Sequence, residues 1–476
     1  MGGSSTAYFL RSEMGDSVDI TVFDRNKTAG GRVMDMTLDM FGREDVRIEL
    51  GASIYVRVNA FFKGFVEKFG LSATDAESDN LKALLSMGIW NGKEFDFLES
   101  PYTLVNYGKA LWRWGPSPMR LTSVGGDIVN RFVSWYDEKT PFKRIENFLD
   151  ACNLSELTNI TTSDWLKNKG FSQSFIDELI GGVSHVTYNQ EVDEMHALGA
   201  MISVAGSGAD CFTVNEGNAR VAENLLKEAK ATVKFETEVT HINLDLEVAE
   251  ENEVKPTHRK DIHAFVESAS DANGAATKFD GNYPAYFGQE EDSSETLYRV
   301  KTSDNTMGEV FDAVVIAAPL EFANIVLDKP VSKREYQGVY VTIVHGHLDP
   351  EYFGLEDIKQ IPQHILVSKG DSKEPFTSIG TKLQLEDGSR VVKFFSRRPM
   401  TTEVLNSIFK ELVHEPFRTF WYAYPKLKTR SSFPPLKLGT NLYYVNAMES
   451  ALSTMESEMV AAKNIALLLS DDFNKA

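Results

Sequence analysis

A glycine pair that opens a helical stretch, followed by an acid that ends a β-branched strand, leaves a chain few folds to choose from. Here Gly2-Gly3 leads into Ser4-Ser5-Thr6-Ala7-Tyr8-Phe9-Leu10, which reads as a helix, and Asp16 closes a turn. Val18-Asp19-Ile20-Thr21-Val22-Phe23 then reads as a strand ending in Asp24. A dinucleotide fold needs glycines where its first strand turns into a helix, because the backbone there approaches a pyrophosphate. It also needs an acid at the end of the second strand to hold ribose hydroxyls. Gly3 takes the place of the last glycine of G-x-G-x-x-G, and Asp24 stands 21 residues further on. The motif's first strand and first two glycines are not in the chain. The expectation is therefore a chain that starts inside the motif and binds its dinucleotide more weakly than an extended form.

The 476 residues suffice for two domains or one interleaved pair. With 42% hydrophobic and 25% charged residues the composition is globular. A formal net charge of −20 argues against a nucleic-acid partner, which would need a basic face. No apolar run reaches the length of a membrane span, and no secretory signal is visible; peripheral membrane contact stays open. Cys152 and Cys211 make no zinc pattern and no disulfide framework, so they read as ordinary thiols or one bridge, and no metal site is expected. Asn153-Leu154-Ser155 and Asn159-Ile160-Thr161 are acceptor triplets for glycosylation.

From about residue 60 to 205 the periodicity is mostly helical, and its aromatics, Trp90, Trp112, Trp114 and Trp135 among them, read first as core. Strand-and-helix character returns over 215–245. Residues 246–296 are acidic and aperiodic and read as a flexible insertion. A buried strand over Val314-Val315-Ile316 ends at Pro319, residues 337–400 alternate like an antiparallel sheet, and the tail from Leu442 is a strand and a long helix. This layout predicts an α/β chain. Segments 1–60, 210–245, 297–325 and 436–476 form a Rossmann-like dinucleotide domain. Segments 61–209 and 326–435 form an inserted α+β substrate domain of helices and a mixed or antiparallel sheet.

Gly30-Gly31-Arg32 stands just past Asp24, where flavoproteins of the amine-oxidase type place G-G-R. The resemblance implies glycines that admit the backbone and an arginine that neutralises pyrophosphate charge. It also implies that Gly2, Gly3, Asp24, Arg25 and Ser53 face the cofactor, and that Val239 presents its backbone to adenine. The tail carries Asn446-Ala447-Met448-Glu449 and Ser453-Thr454-Met455-Glu456-Ser457, similar to A-G-x-E and G-x-M-E-G-A, with Ala447 and Ser457 replacing two glycines. Glu449, Thr454 and Met455 are thereby placed beside the flavin. The cofactor implied is FAD rather than NAD, because NAD enzymes lack this tail.

Over nearly its whole length the chain resembles the prenylcysteine oxidase family, also called prenylcysteine lyase. The landmarks are Gly88-Ile89-Trp90-Asn91-Gly92, Leu111-Trp112-Arg113-Trp114-Gly115, Val186-Thr187-Tyr188-Asn189-Gln190, Val214-Asn215-Glu216-Gly217-Asn218, Ala423-Tyr424-Pro425 and Leu442-Tyr443-Tyr444-Val445-Asn446. Asn189 and the acidic insertion depart from the family pattern. The resemblance implies oxidation of the thioether in farnesyl- or geranylgeranyl-cysteine by molecular oxygen, yielding a prenyl aldehyde, cysteine and hydrogen peroxide, in a lysosome or vacuole. Tyr188, Gln190 and His185 are the polar pocket candidates, Trp112, Trp114, Phe132 and Trp135 the lining of a prenyl tunnel, and Arg113 and Arg120 the partners of the substrate carboxylate. Where amine oxidases carry a lysine near the flavin, the matching place falls near Val341 or Thr342, which points away from amines. None of the nine histidines stands out as a base. Another flavin oxidase or desaturase of amines or polyenes, and a non-catalytic prenyl-lipid-binding relative, remain as alternatives.

Overall fold

The computed structural model of the chain describes residues 1–75, 86–138, 140–207, 211–245, 296–368 and 374–475. Helix α1 (Gly2–Met14) has its first six residues buried and stops at Gly15, whose φ of 62° no longer fits a right-handed helix. Strand β1 (Thr21–Phe23) pairs in parallel with Thr232–Lys234, and Val314–Ile316 pairs in parallel with Leu442–Tyr444. Against α1 pack the last helix, Met455–Lys475, and the helix Ala219–Glu228. Segments from the start, middle and end of the sequence therefore build one α/β unit, as the layout predicted. Beside it lies a four-stranded sheet in the order Glu309–Phe311, Tyr298–Thr302, Val239–Leu244 and Val326–Leu327.

The largest sheet has eight strands. Its spine is the long strand Tyr336–Leu348, antiparallel to Arg390–Ser396 on one edge and to Phe409–Leu412 and Phe417–Pro425 on the other. The alternation read from the sequence is that of a strand packed on both faces. Val339, Val341 and Ile343 join one apolar cluster with Trp421 and the hairpin β2 (Asp35–Leu38)–β3 (Arg43–Glu49). Val344 and Leu348 join another with Trp90 and Phe394.

The region expected to be mostly helical contributes two strands to this sheet. Met87–Trp90 pairs in parallel with His364–Val367, and Phe95–Leu98 forms the edge. Gly88 makes that possible: a Cβ there would fall 2.6 Å from Phe95 and 2.9 Å from Pro362. Helix α3 (Thr103–Trp114) packs beside this edge, tied to it through Lys109 and Arg113, with α4 (Ser117–Val133) against it, while α2 (Ala60–Lys68) packs on the last helix. Cys152 is buried and Cys211 half-buried, and no disulfide joins the two. Among the described residues no helix is long and apolar enough to cross a membrane. The acidic stretch read as an insertion lies, but for its last residue, outside the described residues.

Candidate active site

The opening turn of α1 sits in a close cradle. A Cβ on Gly2 would fall 2.8 Å from Glu458 Oε2 and 2.9 Å from Val445, so only glycine lets the helix start here. Ser5, in the first turn, is buried, and its hydroxyl has no hydrogen-bond partner among the described residues. The first turn of a helix also leaves its N–H groups unpaired within the helix. Asp24 is buried at the end of β1, where its Oδ1 accepts from Asn26 N–H. Gly30 holds φ of 123°, and a Cβ there would meet Val33 O at 2.5 Å; one on Gly51 would meet Arg32 O at 1.9 Å. Together, a helix N-terminus, an unpartnered buried hydroxyl, an acid at a strand end and glycines that admit close backbone fit a dinucleotide.

Arg32 donates to Ala423 O at 2.7 Å and makes a close ion pair with Glu449, whose side chain is fully buried. Burial works against the Glu449 carboxylate, but Arg32 and Arg334 outweigh it and hold its pKa below the ordinary value. Arg334 itself spans a buried network: bidentate to Glu321, and donating to Tyr336 Oη, Tyr444 Oη and the carbonyl of Asn446. It ties the segment after Pro319 to the tail motif. The tail's substituted residue has a role as well. Thr454 N–H donates to Ser457 Oγ at 2.9 Å while Ser457 N–H donates to Thr454 Oγ1 at 3.0 Å, a reciprocal cap on the last helix. Glu456 accepts from Phe61 N–H and Phe62 N–H, capping α2 instead of facing a ligand. Val239 is fully buried at the start of its strand, and Arg25 donates weakly to Phe322 O at 3.4 Å.

Ser53 lies where the sequence places a cofactor contact, and it has a neighbour that sequence reasoning missed. Lys393, on the strand Arg390–Ser396, donates to Ser53 Oγ at 3.2 Å and to Glu49 O at 2.7 Å. Ile343, on the adjacent strand, is its paired residue, so a buried lysine stands beside the Val341–Ile343 stretch. Burial, with Lys382 nearby, pulls Lys393 well below the ordinary lysine pKa. Burial pushes the Glu49 carboxyl up to about 7, although Asn218 N–H donates to it at 2.6 Å. Asn218 also donates to Ala52 O, so the Glu216-Gly217-Asn218 landmark pins the Gly51–Ser53 turn.

The pocket candidates have firm partners. Gln190 donates to Pro425 O and accepts from Leu427 N–H, bracing two segments. His185 Nδ1 stands 2.8 Å from Val367 O, and its Nε2 lies 3.2 Å from Glu191. Burial opposes it, but His185 and Arg397 hold the Glu191 carboxyl down to about 2. Tyr188 is buried edge-to-face against Tyr424 at 5.1 Å, and its hydroxyl donates to Ser453 O at 3.3 Å, beside the tail motif. Of these three, Tyr188 stands nearest the cofactor residues.

Several expectations need correction. Trp112 is 87% exposed and lines no interior tunnel. Trp114, by contrast, is buried, stacked on Phe97 at 4.9 Å. Trp135 and Phe132 belong to the aromatic core around Phe148. Arg113 is engaged by Glu178 and Asp96, and Arg120 by the carbonyls of Lys169 and Gly170, so neither is set to receive a substrate carboxylate.

An α/β dinucleotide unit coupled to a large antiparallel sheet is the architecture of the flavin-dependent amine oxidases. A triple mutant of putrescine oxidase superposes with a TM-score of 0.58 at 11% identity, covering 100% of this chain and 98% of that one. Cyclohexylamine oxidase from Brevibacterium oxydans IH-35A gives 0.56 at 12%, covering 99% and 97%. A fatty acid isomerase from P. acnes shares the fold equally well, at 0.56 and 13%, covering 98% and 96%. Residues 1–69 match the pattern of an NAD(P)-binding Rossmann-like domain, and residues 97–280 and 283–476 match that of prenylcysteine lyase. The farnesylcysteine lyase of Arabidopsis thaliana is 29% identical over 99% of this chain and 87% of its own length. Human prenylcysteine oxidase 1 is 28% identical over 98% and 86%. The chain belongs to the prenylcysteine lyase family and is a flavin-type oxidoreductase.

Proposed function

We propose that the chain is an FAD-dependent thioether oxidase that cleaves farnesyl- or geranylgeranyl-cysteine. Thioether, oxygen and water would give a prenyl aldehyde, free cysteine and hydrogen peroxide, a step in the breakdown of prenylated proteins. The observation that carries this reading is the near full-length likeness to relatives named for that chemistry, on a chain that keeps the helix N-terminus, Asp24 and tail geometry a dinucleotide needs. The chemistry that bound FAD would supply is acceptance of a hydride equivalent from the carbon between sulfur and alkene, with oxygen as the final acceptor. The protein's part is position and proton handling. Gly2, Gly3, Ser5, Asp24, Gly30 and Gly31 would bind the adenine dinucleotide, and Tyr188 and Ser53 border the reacting region. Lys393, whose charged form burial disfavours and which donates to Ser53 Oγ, is set to take a proton from water as it adds to the oxidised carbon. Collapse of the resulting hemithioacetal breaks the carbon–sulfur bond and returns a proton to sulfur.

Incubation of the FAD-loaded protein with farnesylcysteine should yield farnesal and peroxide in equal amounts; neither product, with an amine oxidised instead, overturns the assignment. Lys393 is the observation that keeps amine oxidation as a second reading, and the same assay with a set of primary amines decides between them. An acidic, lysosome- or vacuole-like compartment is the location we assign, to be checked by imaging the tagged full-length protein.

A further inference from the structure

Helix α3 is amphipathic in the wrong sense for a soluble surface. Its inward side carries Asn106, Ala110, Arg113 and Trp114. Asn106 exchanges hydrogen bonds with Ser100, Arg113 pairs with Glu178 and Asp96, and Trp114 Nε1 donates to Glu178. The outward side carries the apolar residues at helical spacing: Leu104 is 85% exposed, Tyr107 70%, Leu111 56% and Trp112 87%. Tyr102, just before the helix, and Met119, at the start of α4, extend the patch at 71% and 66%. A soluble helix turns its apolar stripe to the core, and contiguous exposed apolar surface of this kind marks a binding face.

Charge distinguishes the partner. In a chain of 69 acidic residues and net charge −20, no Asp or Glu falls between Glu99 and Asp127. The same stretch holds Lys109 and Arg120, whose partners are uncharged backbone carbonyls, so both keep their positive charge at the rim of the patch. Lys169 lies beside Arg120. Tryptophan and tyrosine over an apolar stripe with a basic rim is the composition of an interfacial helix lying in a bilayer's headgroup region.

We propose that the outward face of α3, with Tyr102 and Met119, docks the protein on a membrane surface bearing anionic lipid. The inner side of the helix is tied through Trp114 to Glu178, which lies in the turn running into the helix Gly181–Tyr188, whose last residue is the site candidate Tyr188. Docking thus couples the helix that carries Tyr188 to the phase in which a prenyl tail partitions. That last role rests on the function proposed above; the docking itself does not.

Flotation with vesicles of phosphatidylcholine, with and without phosphatidylserine, measures it without substrate. The protein is expected to bind, more tightly when phosphatidylserine is present and less so in high salt. The combined substitution Leu104→Ser, Leu111→Ser and Trp112→Ser is expected to lower the bound fraction at least about tenfold with the thermal midpoint unchanged. Lys109→Glu with Arg120→Glu should reduce only the gain from phosphatidylserine. No binding by the unsubstituted protein, or equal binding by the triple variant, overturns the proposal. So does a dimer in light scattering that the triple substitution splits while vesicle binding stays absent, since the face would then belong to a second copy. Peroxide formation in detergent-free solution reads the enzymatic assignment separately, so either idea can fail alone.

Discussion

A buried lysine with only uncharged partners is an unusual thing for a protein to keep. Lys393 donates to the Glu49 carbonyl and the Ser53 hydroxyl, and burial with Lys382 nearby disfavours its charged form and holds its pKa well below the ordinary lysine value. A structural role alone would be served as well by an apolar side chain of the same length. Lys393→Met is therefore expected to leave the urea midpoint unchanged or raise it, and to lower the turnover of farnesylcysteine by about 100-fold, the scale of lost proton transfer. The pH–rate profile should lose its acidic limb at the same time. Full turnover with an unchanged profile would reduce Lys393 to a packing residue. The sequence could not have singled it out. Lys393 sits in an ordinary alternating strand, and its meaning comes from the register that sets it beside Ile343 and over the Gly51–Ser53 turn. Asp24 was legible for the opposite reason, since its strand, its turn and its glycines lie within a short stretch of chain.

Elements here are fastened by groups far apart in sequence. The Glu456 carboxylate caps α2 through Phe61 and Phe62 and also accepts from Tyr136, although the residues are 395, 394 and 320 positions apart. Removing it strands two buried N–H donors and a phenol, so Glu456→Leu should cost about 3 kcal/mol or more, and Tyr136→Phe about 1 kcal/mol. Urea unfolding of the two variants measures both; equal costs would show that the cap contributes nothing. The Met455-Glu456 pair was recognisable as a motif, and the last helix after it was predicted. What the motif does was not, because its partner helix is at the other end of the chain. Ser457 reverses an expectation in the same way. Read as a lost glycine, it proves to be the reciprocal half of the cap with Thr454. The strands Met87–Trp90 and Phe95–Leu98 were missed because they are short and flanked by helices, and only the sheet they join defines them.

At the scale of the molecule, buried titrating groups set where the protein is most stable. A carboxyl whose folded pKa is raised gives stability that is complete below the unfolded value and lost as pH rises through the folded one. Burial raises Glu49 to about 7, and burial with Glu449 nearby raises Glu458 to about 8. Lowering pH from about 8.5 to about 6.5 should therefore add about 3 kcal/mol from these two groups. Below the ordinary histidine pKa a second pair opposes them. Burial lowers His196 to about 3 and His364 to about 4, and both resist the protons that the unfolded chain takes up. Gains and losses then nearly cancel down to about pH 4.5, where Glu191 and Glu449, both depressed, begin to lose their share. Lys393 and Lys382, both depressed by burial, oppose the two carboxyls over the same alkaline range, because the unfolded lysines take up protons that the folded ones resist. The share of the carboxyls is therefore read as a difference between the protein and its Glu458→Gln variant, a gain that grows as pH falls from about 8.5 to about 6.5. Urea unfolding at closely spaced pH values traces it. A Glu458→Gln profile that runs parallel to that of the unsubstituted protein would contradict the burial of this carboxyl. Loss of that gain in Glu458→Gln would tie it to the wall of the cradle around α1, where the same carboxyl stands 2.8 Å from the Cβ position of Gly2.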